Sequence, residues 1–141
     1  MLTPPTAAVE APARVLALLV AANGRIDERE MAALDRLDAF VRLGVGRKRF
    51  LEMSRECIRD VGASLCERSW LRTTDLMYVN ALLDAVPDES QRLLVCRFGA
   101  AAITADGRVT GDERLVYNHT LARWRIRQDQ VSQAILHDAV H

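Results

Sequence analysis

Asp106, Gly107, Val109 and Glu113 follow one another at the spacing of the second half of a calcium-binding EF-hand loop: a carboxylate, the turn glycine, an apolar residue two positions later and a closing glutamate. Asn23, Gly24, Ile26 and Glu30 repeat the pattern 83 positions earlier. The chemistry on offer is oxygen ligation of a hard divalent cation. An EF-hand loop draws ligands from positions 1, 3, 5, 7, 9 and 12. With Asp106 at the fifth place and Glu113 at the twelfth, the first and third hold Ala102 and Thr104, and the earlier copy has Leu19 and Ala21 there. Neither loop alone can chelate calcium. What the residues allow is a composite site in which the Asn23 amide oxygen, Glu30, Asp106 and Glu113 converge on one Ca²⁺, Mg²⁺ or Mn²⁺ ion.

The same residues also make complete helix ends without any metal. Gly24 and Gly107 suit the left-handed position that stops a helix, and Ile26 and Val109 suit apolar plugs. Asp27 and Thr110 then stand as N-caps, with Glu30 and Glu113 three positions on to complete capping boxes. Each cap is worth about 1 kcal/mol.

The elements around the loops read as helices. Val15 to Ala22 is apolar, and the spacing predicts a helix over 13–22 behind a flexible, Pro-rich lead-in of residues 1–12, with Pro12 tolerated in the first turn. A second helix is expected over 28–43, with Met31, Leu34, Leu37 and Val41 on its apolar stripe and Gly44 and Gly46 at its end. A third spans 47–63. A fourth, 74–86, carries Leu76, Met77, Val79, Leu82 and Leu83 and reads as the most buried; Pro87 breaks it. Asp88, with Gln91 three positions on, opens a fifth that runs to Ala105. A sixth holds Leu115, Val116, Leu121 and Trp124, and a seventh begins near Gln128. No stretch alternates with period two, so the expected class is all-α, about seven helices in one domain over 13–141.

Aligned at the offset of 83, the loops and their flanking helices match, which reads as an internal duplication of a helical hairpin with Asx-Gly loops. Two such hairpins are expected to pack about a pseudo-two-fold axis and to bring their loops near one another.

Composition narrows the function. Half of the 141 residues are apolar and nineteen basic side chains balance nineteen acidic ones, so no overall field draws the chain to nucleic acid or an anionic membrane. The apolar run at Val15 is too short to span a bilayer, and no basic segment precedes it, so neither a membrane span nor a secretory signal is expected. Cys57, Cys66 and Cys96 form no Cys-x-x-Cys pair and read as small core residues of a cytoplasmic protein. Arg47, Lys48 and Arg49 oppose the dipole of the helix they begin, and either receive an anion or acidic partner or tolerate an exposed turn. His137 and His141 read as a solvated tail and His119 as a half-buried polar residue. Trp70, Tyr117 and Trp124 are read as core or groove anchors. With no Gly-x-Ser-x-Gly and no phosphate-cradling loop, the chain carries no enzyme signature.

The twin stretches "AANGRIDEREMAAL" and "TADGRVTGDERLVY", each between helices, resemble the TerB-like family of tellurite-resistance proteins, over about residues 13–139. The resemblance implies an all-α, pseudo-symmetric cytoplasmic domain in tellurite and other stress-response systems, related to a domain of a DnaJ-like co-chaperone. It also implies a protein partner, no catalysis, and metal-binding acidic positions at Glu30, Asp106 and Glu113. Asn23 departs from the aspartate usual there. A purely structural interaction module without a metal is the alternative.

Overall fold

A helix that is apolar nearly all round from Val15 onward must be buried, and α1 (Pro5–Ala21) accordingly lies at the centre of the molecule. The computed structural model describes residues 5–22, 27–59, 73–105, 107 and 111–132, with side chains from 9, 76 and 113 onward in the first, third and last segments. Ala11, Ala13 and every residue from Val15 to Ala22 are buried. Each large aliphatic side chain among them contributes about 1.5–3 kcal/mol. Around α1 stand α2 (Glu28–Arg36), α3 (Ala39–Arg42), α4 (Arg47–Cys57), α5 (Thr73–Asp84), α6 (Glu89–Ile103) and α7 (Gly111–Trp124), and residues 128–132 begin a further helical segment. The described residues contain no strand, so the chain is all-α.

Helix α1 starts earlier than its sequence predicts. Pro12 lies inside the helix rather than in its first turn, although it lacks the N–H that would bond four residues back. Tertiary contacts hold the preceding turn in place: Glu10 accepts from Nε and Nη2 of Arg49 at 2.8 and 3.0 Å, and Ala11 is buried beside it.

The single helix expected over 28–43 is two. Helix α2 closes at Leu37, and Asp38 takes left-handed dihedrals, φ 55° and ψ 34°, a conformation that aspartate tolerates better than most residues. The break re-aims the apolar stripe. Met31 and Leu34 are buried as the spacing predicts, but Val41 is 80% exposed, and Ala39, Phe40 and Leu43 point inward instead. Phe40 packs against Phe50 of α4 with ring centroids 5.1 Å apart.

Helix α5 is not the most buried one. Val79 and Leu83 are buried, yet Leu76 and Leu82 are only half-buried and Met77 is 68% exposed. It packs on one side, against α1 and α7, and needs only a stripe. The helix expected over 47–63 is described as far as residue 59.

Asp88 caps α6 by accepting from the Ser90 N–H at 2.8 Å. Where α6 crosses α1, Gly99 faces Leu19, and a Cβ at Gly99 would stand 2.7 Å from the Leu19 Cδ1. The repeat is visible in the packing: α1 meets α6, and each also touches the second helix of the other hairpin, α1 with α7 and α6 with α2. These reciprocal contacts are what a pseudo-two-fold arrangement requires.

The duplication extends past the hairpins. After α3, Gly44 at φ 70° lets the Val45 N–H bond to the Phe40 carbonyl; after α7, Arg125 at φ 57° lets the Ile126 N–H bond to the Leu121 carbonyl. Both are the same left-handed helix stop. The turns lie 81 positions apart against 83 for the loops, so the first copy holds two extra residues between loop and turn. The break at Leu37 and Asp38 falls in that interval, while α7 runs unbroken.

Candidate functional site

Glu30 and Glu113 occupy the third position of α2 and of α7, and each is only 1% exposed. A capping glutamate on a surface helix has no need of burial. Enclosing a carboxylate costs several kcal/mol unless charge or hydrogen bonds offset it. The chain encloses one at the same place in both halves, and both carboxylates are engaged with neighbouring groups. At the first copy the cap is plain: Oδ1 of Asp27 accepts from the backbone N–H of Arg29 at 2.7 Å and of Glu30 at 3.4 Å. At the second, Gly107 adopts φ 78°, the left-handed stop its sequence predicts, and its N–H bonds to the Thr104 carbonyl at 3.1 Å.

Asn23, Gly24 and Ile26 of the first loop, and Asp106, Val109 and Thr110 of the second, lie outside the described residues. Among the described residues no three His, Cys, Asp or Glu side chains cluster as metal ligands do. Glu30 and Glu113 each supply a hard oxygen donor of the right kind, but even the two together are fewer ligands than Mg²⁺ or Ca²⁺ takes. A cation here would have to draw the rest from the loops. Ala102 still belongs to α6, and the Thr104 hydroxyl donates back to the Ala100 carbonyl at 2.7 Å, which agrees with rejecting an EF-hand loop.

Two members of the basic cluster at the start of α4, Arg47 and Arg49, are held by carboxylates of the fold, while Lys48 is exposed. Arg47 is ion-paired with Asp35 of α2. Arg49 forks onto Glu10 of α1 and also reaches Glu52 at 3.1 Å and Glu56 at 3.6 Å. Arg14 joins the network from α1, at 3.1 Å from Glu56 and 3.5 Å from Glu10. The Arg49 hydrogen bond, seconded by Arg14, holds the Glu10 carboxyl below its ordinary range, and Glu10 in turn raises Arg49. The penalty of cations at a helix N-terminus is thus offset by carboxylates from α1, α2 and α4 itself.

A second polar set clasps α5 to α7. Nε2 of His119 lies 2.7 Å from Oδ1 of Asn80, and Arg123 donates to both oxygens of Asp84 at 3.1 and 2.7 Å. Burial, then the nearby Arg123, lowers the His119 pKa, so the ring is neutral near pH 7. Cys57 and Cys96 are buried core residues as expected, and burial pushes the Cys96 thiol up to about 12. Cys66, Trp70, His137 and His141 lie outside the described residues.

Trp124, read from the sequence as a core or groove anchor, is a core residue only 6% exposed. Its Nε1 donates to the Leu83 carbonyl at 3.0 Å, and its ring helps line a cleft of about 460 Å³ with Arg92, Leu93, Arg125 and Ile126. Arg92 stands 5.6 Å from the ring centroid and is aimed by its Nε, which donates to the Val86 carbonyl at 2.6 Å. Sequence reasoning missed both arginines. The signal was the repeat followed one turn further, where Arg125 replaces Gly44 at a left-handed position that costs a non-glycine residue about 1–2 kcal/mol.

No helix among the described residues is long and apolar enough to cross a membrane. Comparison with family models, with curated proteins and with solved structures finds no match to this chain.

Proposed function

We propose that the chain is a TerB-like, non-enzymatic module of a cytoplasmic stress-response assembly, with a protein partner and a divalent cation held between its twin loops. The observation that carries this reading is the matched burial of Glu30 and Glu113 at the third position of α2 and α7. Two enclosed carboxylates at equivalent places gain from a shared positive charge. Asn23 and Asp106, from the residues just ahead of those helices, would complete the oxygen set, and Ca²⁺, Mg²⁺ and Mn²⁺ all suit it.

The test is a melting curve of EDTA-stripped protein with and without each ion, beside Asp106→Ala. A cation at about a hundred times its dissociation constant adds roughly 2.7 kcal/mol, a rise of several degrees for a domain of this size. The reading requires that rise in the wild type and its loss in Asp106→Ala; no rise with any ion rejects it.

The second reading is a purely structural interaction module whose loops only cap helices. Asp27 favours it, since its carboxylate already satisfies two backbone donors at the start of α2 without a metal. Under that reading Asp106→Ala loses a cap's worth of stability, about 1 kcal/mol, whatever ion is present.

A further inference from the structure

We propose that the cleft between the start of α6 and the turn after α7 docks an acidic segment of a partner protein, its carboxylates on Arg92 and Arg125 and an apolar side chain against Leu93 and Ile126. This goes beyond the twin-loop reading and uses none of its residues.

The first argument is charge. Arg92 and Arg125 line one cleft with no carboxylate within ion-pair distance of either among the described residues, although Arg92 is close enough to Asp84 to help lower its pKa. Among the described residues Glu89, which is exposed, is the only acid in the lining, so they present two cations against one anion. Arg92 spends its Nε on the Val86 carbonyl, which fixes the plane of the guanidinium and leaves its two Nη nitrogens for a carboxylate fork. The half-buried Leu93 and Ile126 supply the apolar half beside the buried Trp124, and a hollow of about 460 Å³ accepts a side chain with its flanking backbone. Arginine is among the side chains enriched where binding energy concentrates at protein interfaces.

The second argument is backbone. The first copy shows that glycine satisfies this turn, with Gly44 at φ 70°. The second copy holds Arg125 at φ 57°, a conformation unfavourable to any side chain, at the lip of the cleft. A residue kept where it strains the fold is one that something other than the fold requires.

The test is fluorescence polarisation in EDTA with a labelled peptide library in which two aspartates flank a fixed leucine, beside the same library with lysines for the aspartates. EDTA removes any contribution from a cation, so failure here leaves the twin-loop reading standing and the reverse also holds. The wild type is expected to bind the aspartate library and not the lysine library. Arg125→Gly should lose about tenfold in affinity, equivalent to about 1.4 kcal/mol, while its melting temperature rises because the left-handed strain is gone. Arg125→Glu should shift preference toward the lysine library, which keeps the proposal open to refutation if the glycine variant misbehaves. Equal binding of the two libraries, no binding of either, or undiminished binding by Arg125→Gly overturns it. Self-association in sedimentation that Arg125→Gly abolishes would assign the cleft to a second copy of the chain and overturn it too.

Discussion

Gly99 of α6 and Leu19 of α1 meet with no room between them for even a methyl group, since a Cβ on Gly99 would lie 2.7 Å from the Leu19 Cδ1. Leu19 is fully buried, so its side chain has nowhere easy to move. Gly99→Ala should therefore cost about 1–3 kcal/mol through overpacking, although alanine is by itself the better helix former by about 1 kcal/mol. The two effects separate in a double-mutant cycle. In a Leu19→Ala background the clash is absent and Gly99→Ala should become neutral or stabilising in urea melts; an equal loss in both backgrounds would mean that the helices do not meet there.

Glu30 and Glu113 are buried and cannot behave as surface caps. Replacing either with alanine strands whatever group it engages and opens space in the interior, with an expected loss of about 2–4 kcal/mol by chemical denaturation. A solvated capping glutamate would lose about 1 kcal/mol at most. Losses of that smaller size at both positions would place the carboxylates in water.

The Glu10 network makes stability depend on pH with a definite sign. Arg49 holds the folded Glu10 carboxyl below its ordinary value, so the folded protein takes up a proton there less readily than the unfolded chain. The contribution is fully present above the unfolded pKa, about 4.3, and is lost as pH falls through the lower folded value. Glu10→Gln should lower the melting temperature most at neutral pH, and the gap to wild type should close as pH drops below about 4. A gap that stays constant down to pH 3 or so would remove the ion pair from the explanation.

The helix caps and stops around the candidate site were legible as sequence because they are local chemistry. Asp27 caps α2, Asp88 caps α6 and Gly107 turns left-handed, each a property of a few neighbouring residues. The burial of Glu30 and Glu113 was not legible, since a capping glutamate and an enclosed one have the same spacing. Nor were the partners of Arg47 and Arg49, whose carboxylates come from α1 and α2 as well as α4. A run of cations looks unsatisfied until the chain is folded.

The amino-acid sequence alone determined an all-helical chain, its duplicated hairpin and the residues that stop and start its helices. Those depend on a period of 3.6 residues and on the short-range preferences of Gly, Asn and Asp. Only the tertiary structure decided that α1 is the central helix, that the helix after the first loop breaks at Leu37 and Asp38, and that Val41 faces water while Phe40 faces Phe50. It also decided that Trp124 shares a cleft with Arg92 and Arg125. Periodicity says which residues share a face of one helix; which faces meet is set by the burial available when all the helices pack together, a quantity that belongs to no single segment.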